Sequence, residues 1–286
     1  MLGRPGVVVV DARESAAYNG WRMGDEARGG HIDGAVSLPL AWLELLTAGG
    51  LRATLTAKGI SLDDTIIVYG VGREDSAALA QALRATGGKQ VLEYSAGLAA
   101  WAAEETLALA WLPRHDRLVP PQWLHGVLRG EQLEHCGGSG RLTLLEVGSG
   151  EPSEYRRGHV PGAVYLDAAE IETGPLWNRV SDRDLKAVIL AHGVTRDDLV
   201  VLYGRDTTLA TRAAAIFMYA GVDDVRLLDG GIRAWIAAGY ALETGVRQVV
   251  AVGRFGCEIP AYPQYIIDLA EARAVLAAGD ALLVDV

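Results

Sequence analysis

The chain has 286 residues, of which half are hydrophobic and 22% charged; this is apolar material for about two packed domains and excludes a disordered segment. Its formal net charge of −10 argues against nucleic acid or an anionic membrane as a partner, because both need a positive field; a small anion in a locally positive pocket stays possible. No apolar run approaches the roughly 20 residues of a membrane span, and no basic stretch followed by a long apolar run opens the sequence, so no signal peptide is expected and the compartment stays open.

Taken from the N-terminus, short apolar runs at 7–10, 66–69 and 90–94 read as strands, and stretches at 76–86 and 98–104 have helical spacing. The same order then returns. Strands are expected at 142–147, 199–203 and 225–228, and helices near 182–192, 208–220 and 232–238. Continuous apolar strands alternating with helices predict an α/β fold, a parallel sheet covered on both faces. Ligands of such sheets sit beyond the C-terminal ends of the strands, here the turns after Tyr69 and Tyr203.

Three landmarks show that the second half repeats the first. Gly30-His31-Ile32-Asp33-Gly34-Ala35 returns as Gly158-His159-Val160-Pro161-Gly162-Ala163, 128 residues later. Tyr69-Gly70 returns as Tyr203-Gly204 and Trp101 as Trp235, both 134 residues later. A period this long marks a duplicated domain rather than a solenoid. A third register opens near the end: Pro121-Gln122-Trp123 ahead of the 142–147 strand is echoed by Pro263-Gln264-Tyr265 ahead of an apolar run at 282–286. The expected organisation is a first domain over 1–118, a second over 119–250, and a linker with the first helix and strand of a third over 251–286. One strand cannot close a core, so residues from about 255 onward are expected to be loosely held unless they dock on the second domain.

These motifs resemble the rhodanese homology family. The resemblance rests on Asp11-Ala12-Arg13 at a strand end, the Gly-His-Ile-x-Gly-Ala motif at Gly30, and Gly230-Gly231-Ile232-Arg233-Ala234-Trp235. Further segments, among them Tyr18-Asn19-Gly20-Trp21 and Leu176-Trp177-Asn178-Arg179, are similar to three-domain members whose last domain carries the nucleophile. The resemblance implies sulfurtransferase chemistry, in which thiosulfate or another sulfane-sulfur donor loads a cysteine persulfide and a thiol or protein accepts the sulfur. It places that cysteine directly after the central strand, where backbone N–H groups and a helix start lower the thiol pKa.

Here those two positions are Gly70 and Gly204, so no catalytic residue is expected in either domain. The chain then reads as the non-catalytic part of a sulfurtransferase whose cysteine lies in a third domain; the alternative is an inactive binding or scaffold module. Cys136 and Cys257 fall between modules and form no C-x-x-C pair, so neither a persulfide carrier, a metal site nor a disulfide is expected. Asp11, Arg13 and His31 are expected to form a structural hydrogen-bond and ion-pair set, His159 is likewise expected to be structural, and Gly34 and Gly162 belong to the same structural motif. Glu146 replaces the aspartate in the second copy, and Gly148 stands where the arginine is expected. Arg205, Asp206, Thr207 and Thr208, with Arg212, suggest a degenerate anion-binding loop.

A dinucleotide site at Gly70-Val71-Gly72 with Glu93 is a weaker match, because Asp75 stands at the third glycine; no cofactor is expected. The aromatic insertion with Tyr18 and Trp21 suggests an interface between the modules.

Overall fold

The structure is a computed structural model that describes residues 4–131, 140–279, 281, 282 and 284. The chain divides into two compact units, Met1–Asp116 and Arg117–Val286.

In the first unit the strands are β1 (Val7–Asp11), β2 (His31–Ile32), β3 (Val36–Ser37), β4 (Thr65–Tyr69), β5 (Gln90–Glu93) and β6 (Leu109–Ala110). The helices are α1 (Ser15–Asn19), α2 (Ala48–Ala57), α3 (Arg73–Thr86) and α4 (Gly97–Ala103). Four strands form a parallel sheet in the order β3-β1-β4-β5, and β2 pairs antiparallel with β6. The central strands are apolar on both faces and bury Val10, Ile66 and Val68 completely. Helix α3 lays Leu79, Ala80 and Leu83 on that sheet, a spacing of three to four residues that keeps them on one face. It stops at Gly87, whose φ of +112 closes the last turn.

The second unit repeats this plan with β7 (Leu118–Val119), β8 (Leu142–Gly148), β9 (Val164–Asp167), β10 (Glu172–Thr173), β11 (Asn178–Arg179), β12 (Leu199–Gly204) and β13 (Asp224–Leu228). Its helices are α5 (Pro121–Leu128), α6 (Ser153–Arg157), α7 (Ala168–Ile171), α8 (Asp182–Ala191), α9 (Thr207–Ala220), α10 (Gly231–Ala237) and α11 (Leu269–Ala278). The parallel sheet has the order β7-β13-β12-β8-β9, and β10 and β11 form an antiparallel hairpin. Leu118 pairs with Leu227 of β13, which draws residues 117 and 118 into this unit. Helix α9 buries Ala210, Ala213, Ala214 and Phe217; its small residues let it lie close to the sheet.

Residues 252–266 run back over the second unit. Phe255 is buried in its core, the Arg196 N–H donates to the Phe255 carbonyl at 2.8 Å, and the Tyr262 N–H donates to the Tyr219 carbonyl at 3.2 Å. The docking alternative of the sequence reading therefore holds for this strap. Helix α11 beyond it starts at a capping box of Asp268 and Glu271 and buries none of its residues. The apolar run at 282–286 lies largely outside the described residues. Among the described residues no helix is long and apolar enough to cross a membrane.

Candidate functional site

The C-terminal ends of β1 and β4 meet in the first unit, with Asp11 opposite Tyr69. Asp11 is fully buried and is held by three groups. Arg13 donates to it through Nε and Nη2 at 3.0 and 2.7 Å, the Arg13 backbone N–H does so at 2.9 Å, and the Tyr69 hydroxyl at 2.7 Å. The same Arg13 Nη2 reaches the Gly30 carbonyl at 2.6 Å, and the Ile32 N–H donates to the Tyr69 hydroxyl at 3.1 Å. Burial and the neighbouring Asp11 charge push the Tyr69 phenol well above its ordinary range, so it stays a donor. His31 is not part of this set. Its Nδ1 lies 2.7 Å from the Tyr18 carbonyl and its ring stacks on Tyr18 at 3.8 Å.

The second unit reproduces this arrangement with one exchange. The Tyr203 hydroxyl donates to Glu146 at 2.8 Å and accepts from the Val160 N–H at 2.9 Å. His159 Nδ1 lies 2.9 Å from the Tyr155 carbonyl, and the two rings stack at 3.9 Å. The guanidinium comes from Arg205: Nε is 3.2 Å from Glu146, and Nη2 donates to the Gly158 carbonyl at 2.6 Å and to the Glu154 carbonyl at 3.0 Å. Arg205 thus does for Gly158 what Arg13 does for Gly30. Gly148 has no room for an arginine, because a Cβ there would lie 2.6 Å from the Tyr165 ring. Tyr165 stands opposite Glu146 where the first unit has the small Ser37 opposite Asp11. Burial pushes the Glu146 carboxyl above its usual range, against the Tyr203 hydrogen bond and the Arg205 charge. Gly34 and Gly162 both take left-handed turns, with φ of +77 and +86, where a side chain would be strained.

The residues of the expected anion loop have partners of their own. Arg205 and Arg212 do not form an anion cradle together: Arg205 is tied to Glu146, while Arg212 pairs with Glu172 at 2.5 Å and with the Trp177 carbonyl at 2.8 Å. The helix-start N–H of Thr208 is taken by the Asp206 carboxylate at 2.8 Å. The open cleft at this place is lined by Glu146, Glu151, Glu154 and Asp206 together with Arg205, which lies 3.2 Å from the Glu146 carboxylate. Tyr18 and Trp21 also have work inside the first unit. The Tyr18 hydroxyl donates to the Ala35 carbonyl at 2.8 Å, matching Tyr155 and Ala163 at 2.7 Å, while Trp21 is buried and its Nε1 donates to the His115 carbonyl at 3.2 Å.

The central loops leave no place for a nucleophile. A Cβ on Gly204 would lie 2.6 Å from the Asp206 carbonyl oxygen and 2.8 Å from that of Val147; one on Gly70 would lie 2.5 Å from the Asp75 Cβ. Asp75 accepts from the Val71 N–H at 3.1 Å, the donor a phosphate would use in a dinucleotide site, and Glu93 pairs with Arg84 at 2.9 Å. Cys257 is half-buried within the strap, and burial pushes its thiol up despite the nearby Arg196, so the thiol stays protonated at neutral pH. Cys136 lies outside the described residues.

Comparison with known proteins agrees with this geometry. Residues 1–104 and 131–238 match the rhodanese-like domain model. The chain is similar to the thiosulfate sulfurtransferase YnjE of Escherichia coli (strain K12), with 38% identity over 278 residues, 97% of this chain and 62% of that protein. The YnjE crystal structure superposes with a TM-score of 0.85 over 93% of this chain and 62% of its own. An anaerobic ergothioneine biosynthesis enzyme from Chlorobium limicola, solved with trimethyl histidine, gives a TM-score of 0.88 at 33% identity over 98% of this chain and 68% of its own. A variant of the enzyme EanB, at 33% identity and a TM-score of 0.87 over 96% of this chain and 67% of its own, holds ergothioneine covalently linked to a persulfide cysteine. The chain thus spans about two thirds of the length of these relatives. With two matched modules, parallel sheets flanked by helices and this likeness to sulfurtransferases, the chain belongs to the rhodanese-like domain family.

Proposed function

We propose that the two units are the non-catalytic modules of a thiosulfate or persulfide sulfurtransferase, and that the sulfur-carrying cysteine sits on a further rhodanese-like module begun by residues 251–286. The observation that carries this reading is the pair Gly70 and Gly204. Sulfane-sulfur transfer needs a covalent carrier: a thiolate takes the outer sulfur of thiosulfate, sulfite leaves, and the persulfide passes that sulfur to an acceptor thiolate or to cyanide. Neither central loop supplies a thiolate, and neither has room for the Cβ of one.

The two modules then serve as a scaffold for the third. A polypeptide that continues past Val286 through a cysteine after its central strand tests this. It is expected to form thiocyanate from thiosulfate and cyanide, and to lose that activity when this one cysteine becomes serine. Unchanged activity in the serine variant overturns the reading.

A further inference from the structure

The β10–β11 hairpin ends in an uncovered apolar tip. Leu176 is 78% exposed and Trp177 50%. Trp177 has a φ of +52, a backbone conformation that bulky side chains rarely adopt. The tip is nevertheless held in place. Arg212 of α9 donates to the Trp177 carbonyl and is itself fixed by Glu172 at the foot of the hairpin. An indole kept facing solvent at the cost of backbone strain indicates a use outside this unit.

The foot of the hairpin forms one wall of an open groove, with Asn178, Arg179 and Val180 on that side and Pro263, Ile266 and Leu269 on the other. The second wall continues the strap that Phe255 and Tyr262 dock on this unit, and it leads directly into α11. Leu269 and Leu276 of α11 are 75% and 50% exposed, and none of its residues is buried. Helix α5, at the start of the second module, buries Pro121, Trp123 and Leu124. Among the described residues no sheet covers α11, which takes the place in its register that α5 has in the second module, and it begins in the groove at the foot of the hairpin.

We propose that the Leu176–Trp177 tip is a docking finger for the sulfur-carrying rhodanese-like module that α11 begins. The inference rests on the functional reading above. Continuity fixes the occupant, because the docked strap passes through the groove into α11 and the body built on α11 stands beside the hairpin. Through Arg212 the finger ties that module to α9, the helix that starts at the central loop of the second unit.

Hydroxyl-radical footprinting of Trp177 tests this, run on the 286-residue chain and on the polypeptide that continues through the persulfide cysteine. An interface that excludes water is expected to slow Trp177 oxidation about fivefold in the longer polypeptide, while exposed Trp111 of the first unit reacts equally in both. In a Leu176→Ser, Trp177→Ala variant of the longer polypeptide, amide exchange across α11 is expected to rise about tenfold as the helix loses its support. Equal Trp177 oxidation in a longer polypeptide that does make thiocyanate overturns the docking finger and leaves the functional reading standing. Failure to make thiocyanate overturns both.

Discussion

The carbonyls of Gly30 and Gly158 are each bound by an arginine at 2.6 Å, and the two arginines come from different places in the repeat. Arg13 reaches back from two residues past the strand-end Asp11; Arg205 reaches across from the central loop to Glu146. Tyr165 in place of Ser37 closes the first route in the second unit. Arg205→Ala is therefore expected to destabilise the second unit by about 2 kcal/mol, the usual range for leaving a buried acceptor unmet, read as a loss in thermal or urea midpoint. Moving the arginine with Gly148→Arg and Arg205→Val should not restore stability alone, and should do so once Tyr165→Ser is added, because the three positions share one space. Glu146 gives a pH test. Its carboxyl is raised in the folded unit, so the native state binds this proton more tightly than the unfolded chain. The contribution of this group to stability then grows as pH falls through the raised value, and is least favourable at neutral pH. Wild-type stability measured against Glu146→Gln is expected to improve as pH falls from neutral toward the unfolded carboxyl value of about 4.3; a flat difference contradicts the raised carboxyl.

At the scale of elements, most of the sheet was legible because its strands are continuous apolar runs and its longer helices have regular spacing. The central strands and α3, α8, α9 and α10 start and end within a few residues of their expected places. What escaped were pieces with too few residues to show a period: β3 and β6, two residues each, and the β10–β11 hairpin. Helix α2 escaped because Gly49 and Gly50 in its first turn disguise it. The roles of Arg205, Arg212 and Tyr18 also escaped, since each depends on a partner 12 or more residues away that no local pattern reveals. The loop after β12 is crowded around Gly204. Helix α10 begins at Gly231, with φ +57, where a Cβ would lie 2.4 Å from the Gly204 carbonyl; a Cβ on Gly97 at the start of α4 would likewise lie 2.2 Å from the Val71 carbonyl. Packed between that helix and the Asp206 carbonyl, Gly204→Cys is expected to lower stability by roughly 1–3 kcal/mol through overpacking and to yield no cyanide-labile sulfur after thiosulfate treatment. A stable variant that carries persulfide would show that the loop can open.

For the whole molecule, the repeat of Gly-His, Tyr-Gly and Gly-x-x-x-Trp landmarks makes the family visible in the sequence, whereas the proposal that neither module carries sulfur draws on sequence and structure together. The sequence has glycine at both positions where the resemblance expects the thiolate; the structure adds that the loop N–H of Val71 is met by Asp75 and the helix-start N–H of Thr208 by Asp206. The central claim, that these two modules carry no sulfur themselves, is tested most directly by thiocyanate production from thiosulfate and cyanide by the purified 286-residue chain, with a Cys136→Ser, Cys257→Ser variant alongside. The account predicts background rates for both proteins. Robust turnover by the chain that disappears in the double variant would place the chemistry on one of these cysteines and contradict it.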